Sequence, residues 1–222
     1  MLIRFIILYT MFFSFLISTR YIEVNKKYYT IAKTVNSIGF ILVAAYGGTV
    51  IGNMSVFYTI LPALIFCLLG DVFLGIHTQC ETKSCFLVGI FSFTAAHIAY
   101  TFVFSKIAPL TIYDFIFPII SMFITYKLIK LENMEIEKRL KKYTIMYSFF
   151  VSLLLSKSIG ILFVTGITTE SILIFFGSLM FFISDFIIFF LYFYKKKHHL
   201  VGTFNLFFYY YGMFLLALSL WY

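Results

Sequence analysis

From one end of this 222-residue chain to the other stand eight predominantly apolar runs, each about the length of a membrane-crossing helix. The runs are 3–20, 31–51, 54–76, 84–105, 108–127, 143–164, 170–194 and 201–221. Crossing a hydrocarbon core of about 30 Å takes about 20 residues of α-helix. Inside lipid each backbone N–H and C=O must be satisfied within its own segment, which leaves the helix as the natural form of such a run. The chain is therefore expected to be an all-α integral membrane protein. It should form a bundle of about eight transmembrane helices in one polytopic domain over 1–222. The sixth run is the weakest, because Lys157 and Gly160 interrupt it.

Composition excludes the soluble alternative. The chain is 62% hydrophobic and 12% charged, whereas soluble domains carry about 45–50% and about 25%. A net charge of +8 would suggest nucleic acid in a soluble protein. Here the charges sit in short loops between apolar runs, where they set topology and meet anionic headgroups, so membrane lipids are expected as partners and nucleic acid is not. The tract from Lys195 to His199 is read in the same way. Three cysteines, Cys67, Cys80 and Cys85, do not suggest a disulfide framework. The first run ends in Ser18-Thr19-Arg20-Tyr21 rather than in a small-residue cleavage site, so the segment is expected to be a retained first helix.

Orientation follows from the basic residues. Loops after the odd-numbered runs hold Arg20, Lys26, Lys27 and Lys33, then Lys83. They go on to hold Lys127, Lys130, Lys138, Arg139, Lys141 and Lys142, and finally Lys195, Lys196 and Lys197. Arg4, Lys106 and Lys157 are left for the other side. The positive-inside rule puts the odd loops in the cytosol and both termini on the non-cytosolic side. A plasma membrane, the inner membrane in a bacterium, is the expected location.

Ionisable residues inside lipid are costly and mark function by default. Asp71, His97, Asp114 and Asp185 stand out, with Lys157 near an outer helix end. Asp71 lies about 5 residues, or about 8 Å, from the cytosolic end of its run. Asp185 lies about 9 residues from the cytosol and His97 about 13. These three are expected to share one water-filled pocket open to the cytosolic half of the membrane, while Asp114 lies too far toward the outer end to join them. Gly89, Phe93, His97 and Tyr100 fall on one helical face, as do Gly177, Phe181 and Asp185. Lys157 is expected to snorkel to the outer interface.

The inventory limits the chemistry. A zinc hydrolase needs several ligands around one metal, and only His97 lies deep, so no metal and no cofactor are expected. There is no G-x-S-x-G nucleophile elbow. Two carboxylates in one low-dielectric site tend to separate into an acid and a base, which suits an oxocarbenium-like intermediate. The competing class is a proton-coupled transporter of small molecules or lipids, in which intramembrane Asp residues relay protons. The third and seventh runs each carry an Asp preceded by a small residue, a weak hint of duplication.

Several stretches taken together resemble the YhhN-like family of multi-pass membrane proteins, the lysoplasmalogenases. They are Leu68-Leu69-Gly70-Asp71-Val72-Phe73-Leu74, then Gly89, Phe93, His97 and Tyr100, then Gly177 through Phe181 with Ser184 and Asp185. Lys33-Thr34 stands where the family usually has Lys-Pro, and Tyr209-Tyr210-Tyr211-Gly212-Met213 lacks its usual Gln. The resemblance implies hydrolysis of the vinyl ether bond of a lysophospholipid, a lysoplasmalogen, to a fatty aldehyde and glycerophosphoethanolamine or glycerophosphocholine. On that reading Asp71 and Asp185 are the catalytic pair. His97, Tyr100 and Ser184 bind substrate or water, and Lys33 meets the phosphate.

Overall fold

A computed structural model describes residues 2–52, 54–196 and 199–222. Among the described residues eight α-helices follow one another: α1 (Leu2–Tyr21), α2 (Tyr29–Val50), α3 (Met54–Cys80), α4 (Lys83–Ile107), α5 (Ile116–Leu128), α6 (Lys138–Thr165), α7 (Thr169–Phe193) and α8 (His199–Leu218). Short 3-10 segments lie at Glu23–Tyr28, Ile112–Phe115 and Ser219–Trp221. Among the described residues seven helical segments are long and apolar enough to cross a membrane. The chain is a multi-pass membrane protein, and its large side chains face outward as lipid permits: Phe102 is 64% exposed, Ile112 78% and Phe163 85%.

The helix α5 is the exception. It has 13 residues, about 20 Å at 1.5 Å each, where the fifth run predicts a full span. Pro109 offers no N–H, and helical structure starts only at Ile112. There Thr111 and Asp114 form a capping box, with Asp114 Oδ2 accepting from the Thr111 backbone N–H at 2.7 Å. The polar content of the long helices is absorbed locally. Ser14, Thr78, Ser92, Thr94, Thr101 and Ser152 each donate to the carbonyl four residues back, so their hydroxyls need no partner from lipid.

Contacts gather the chain into two compact units, Met1–Ala96 with Leu220–Tyr222, and His97–Ser219. In the first, α2 packs on α1 and on α3. Gly47 is where the chain end seats: a Cβ there would lie 2.6 Å from Trp221 Cδ1. The Trp221 indole N–H donates to the Val43 carbonyl at 3.0 Å. The stripe along α4 also finds partners here, as Gly89 admits Leu74 and Phe93 lies on Gly70.

In the second unit α5, α6, α7 and α8 pack in sequence, each on the next. Gly166, at φ +74°, ends α6 in a conformation that favours glycine. Two residues on, Thr168 caps α7 by accepting from the Ser171 backbone N–H at 3.1 Å. The helices α7 and α8 cross at Gly177 and Gly212. A Cβ on either would lie 3.0 Å from the other's carbonyl oxygen, so the two backbones nearly touch.

Candidate active site

The second unit holds a chain of polar side chains from three helices. Asp185 of α7 is 6% exposed. Its Oδ2 lies 2.8 Å from His97 Nε2 of α4, and its Oδ1 accepts from the Tyr147 hydroxyl of α6 at 2.8 Å. Both carboxylate oxygens are thus held from opposite sides. Phe181, one helical turn before Asp185, lies against the His97 ring with centroids 4.4 Å apart, and Tyr147 meets that ring edge-on at 5.8 Å. The imidazole is fixed by packing as well as by its hydrogen bond.

Asp185 and Tyr147 also line a cavity of about 160 Å³ between α5, α6 and α7. Its wall is otherwise hydrocarbon and weak hydroxyls, with Phe117, Ile124, Leu128, Val151, Phe182, Phe186 and Phe189 supplying most of it. Thr144 and Ser148 turn their hydroxyls back to the carbonyls of Leu140 and Ile145. Asp185 is the one formally charged side chain among the lining residues. Ser184, its neighbour, is held from α8: the Asn205 amide donates to the Ser184 carbonyl at 2.7 Å and to its hydroxyl oxygen at 2.9 Å. Tyr100 is fully buried, with its ring beside Phe104.

The first unit has its own buried carboxylate. Asp71 of α3 accepts from the Ser37 hydroxyl, and its Oδ1 lies 2.9 Å from Lys33 Nζ. Lys33, expected at the substrate phosphate, thus meets this carboxylate from α2, and the two side chains are 7% and 1% exposed. Gly70 beside Asp71 takes the Phe93 ring, whose nearest atom would be 2.6 Å from an added Cβ.

Lys157 corrects the sequence reading. It does not snorkel to an interface but is 1% exposed, donating to the Pro109 carbonyl at 2.8 Å and to Asp114 Oδ2 at 3.2 Å. The α6 backbone carries the ammonium inward, and Asp114 is where its charge is compensated. Asp114 therefore serves as both helix cap and counter-ion.

Two residues of the Asp185 group escaped the sequence. Tyr147 is one of 17 tyrosines and sits near the start of an apolar run, where an interfacial ring is the ordinary expectation. Asn205 carried a weak signal, being an amide inside the last apolar run but only four residues from its start.

Comparison with curated proteins gives no match, and comparison with solved structures gives none. A family model described as the YhhN family matches residues 28–220, nearly the whole chain. That match takes in α2 through α8 and all three buried aspartates, and the chain therefore belongs to the YhhN family.

Proposed function

We propose that the protein is a hydrolase of the vinyl ether bond of lysoplasmalogens, acting as a lysoplasmalogenase within the YhhN family. One observation carries this reading: a carboxyl group held by two partners faces a cavity whose wall is almost wholly apolar. Hydrolysis of a vinyl ether begins by placing a proton on carbon, the alkenyl carbon one bond removed from the C–O carbon. The acid must then face hydrocarbon, and Asp185 does. Acyl ester hydrolysis instead rewards several donors aimed at a developing oxyanion, and the cavity wall gathers no such set.

The reaction balances with one water. Protonation of the alkenyl carbon leaves an oxocarbenium ion, and water adds to its C–O carbon, giving up a proton that restores the Asp185 carboxylate to the acid. The resulting hemiacetal collapses to a fatty aldehyde and the glycerol hydroxyl of the headgroup. Asp185 supplies the proton, with His97 on Oδ2 and Tyr147 on Oδ1 fixing its orientation. Asp71 is the second carboxylate proposed as necessary for turnover. The site is proposed to open to the cytosolic half of the plasma membrane.

Purified protein in detergent micelles should release aldehyde from a lysoplasmalogen and none from the matching acyl lysolipid. An enzyme needs no sealed compartment for this. Movement of a solute across intact proteoliposomes with no aldehyde formed would overturn the reading in favour of a transporter.

A further inference from the structure

The second unit holds another cavity, and the proposed reaction does not use it. It has about 400 Å³ and lies between α6 and the segment that leads into α5. Its polar floor is the Lys157–Asp114 ion pair. Lys157 is ten residues beyond Tyr147 on α6, about 15 Å along the helix, so this cavity stands apart from the Asp185 cavity.

The ion pair is unfinished. An ammonium carries three hydrogens, and two from Lys157 are directed to the Pro109 carbonyl and to Asp114 Oδ2. Asp114 Oδ2 also accepts from the Thr111 N–H and hydroxyl, while its Oδ1 accepts no hydrogen bond from the described residues. One donor and one acceptor are thus left over, side by side. Gly160 is what keeps them open: a Cβ there would stand 3.2 Å from Oδ1 and 3.8 Å from Nζ. The rim is apolar and outward-facing, with Phe163 85%, Val164 63% and Tyr113 75% exposed.

We propose that this cavity binds a neutral lipid through a hydroxyl group. A single hydroxyl is both donor and acceptor, so one oxygen can donate to Asp114 Oδ1 and accept from Lys157 Nζ. The floor has no net charge, so a phosphate would meet Asp114 and an ammonium would meet Lys157. Either charged head would also lose its hydration for one attractive and one repulsive neighbour. A neutral head avoids that cost, and the chain below the hydroxyl lies along Phe163 and Val164. Long-chain alcohols and monoacylglycerols have this chemistry.

A diazirine-bearing monoacylglycerol, photolysed with the purified protein in nanodiscs, tests the site, with cross-linked residues located by peptide mass spectrometry. Cross-links are expected within 156–164, and unlabelled monoacylglycerol should compete at least tenfold better than lysophosphatidylcholine or phosphatidic acid. Gly160→Leu should abolish the cross-link by filling the gap over the ion pair, while leaving aldehyde release and melting temperature near those of the parent. Asp114→Leu in a Lys157→Met background removes both polar groups and should also abolish it, read only on protein that a thermal melt shows to be folded. Equal competition by a charged lysolipid, or an undiminished cross-link in folded Gly160→Leu, would overturn the proposal. So would failure to cross-link the parent, which would leave the cavity to water alone. None of these results depends on whether the protein hydrolyses vinyl ethers.

Discussion

Three buried carboxylates, each differently partnered, give three different expectations on substitution. Asp185→Asn keeps the shape and the Tyr147 hydrogen bond but removes the ionisable group. A positioned acid contributes typically 10²–10⁴-fold, and aldehyde release should fall by roughly that factor in folded protein. Tyr147→Phe keeps the ring in the cavity wall and deletes only the hydroxyl that holds Oδ1. The expected signature is a kcat lower by about 10–100-fold with KM within a few-fold, on the scale of one lost hydrogen bond to a charged group. A matching rise in KM would instead place the hydroxyl in substrate binding. Asp71→Asn should also abolish turnover, but it leaves Lys33 buried beside a neutral amide, so folding must be measured alongside. Asp114→Asn separates the two effects. It strands the Lys157 ammonium, and breaking a buried pair costs about 3–5 kcal/mol, while turnover per folded molecule should stay within a few-fold of the parent. A thermal melt beside an aldehyde assay reads both, and loss of activity without loss of stability would contradict this division of roles.

Between helices, small residues set how closely backbones approach, because lipid removes the usual hydrophobic drive for helices to associate. The Gly177–Gly212 contact between α7 and α8 is a test in which backbone meets backbone. At Gly212 the nearest obstacles to a Cβ are the Gly177 carbonyl, the Phe181 N and Met180 Cβ, each at 3.0 Å, backbone or fixed to it and unable to swing aside. Gly212→Ala should cost about 1–3 kcal/mol by overpacking, seen as a lower melting temperature in detergent. Because α7 carries Asp185, turnover should fall with it. Gly39→Ala is the contrast, since it meets only the Tyr9 ring at 3.1 Å, a side chain that can yield. The helices themselves were legible in the sequence because lipid demands length and apolarity, both readable without knowing any neighbour. So were Asp71, His97 and Asp185, since a charge in an apolar run stands out alone. Apart from the meeting of His97 with Asp185, which their depths anticipate, partnership was not legible. Whether Lys33 meets Asp71 or Lys157 meets Asp114 depends on helix rotation and packing, which spacing within one helix does not encode. The shortness of α5 was hidden for a related reason: its preceding residues are apolar enough to extend the run, yet Pro109 and the Thr111 cap decide where helix begins.

At the scale of the whole molecule, the claim that matters for function is which end of each helix faces the cytosol. Within each unit the basic loops gather at one end. In the first, the Gln79 amide at the end of α3 donates to the carbonyls of Lys26 and Lys27 at 3.1 and 2.9 Å, tying the segment after α1 to the segment after α3. In the second, residues 133–135 pair with the end of α7: the Glu135 N–H donates to the Phe193 carbonyl at 2.8 Å, and the Lys195 N–H to the Asn133 carbonyl at 3.0 Å. These four segments lie in the loops whose basic residues the positive-inside rule assigns to the cytosol, so the rule and the local pairing point the same way in each unit. Labelling can then decide the orientation. With Cys67, Cys80 and Cys85 replaced by serine or alanine, Asn133→Cys and Tyr222→Cys are each treated with a membrane-impermeant maleimide in intact cells. Tyr222→Cys should react at once, and Asn133→Cys only after the membrane is permeabilised. The Asp185 carboxyl would then lie nearer the cytosolic face than the outer one, the side from which a lysolipid made in the inner leaflet could enter. If both positions react in intact cells, an odd number of crossings separates them no longer. The eight-crossing topology then falls, because one of α6, α7 and α8, which lie between the two positions, fails to cross.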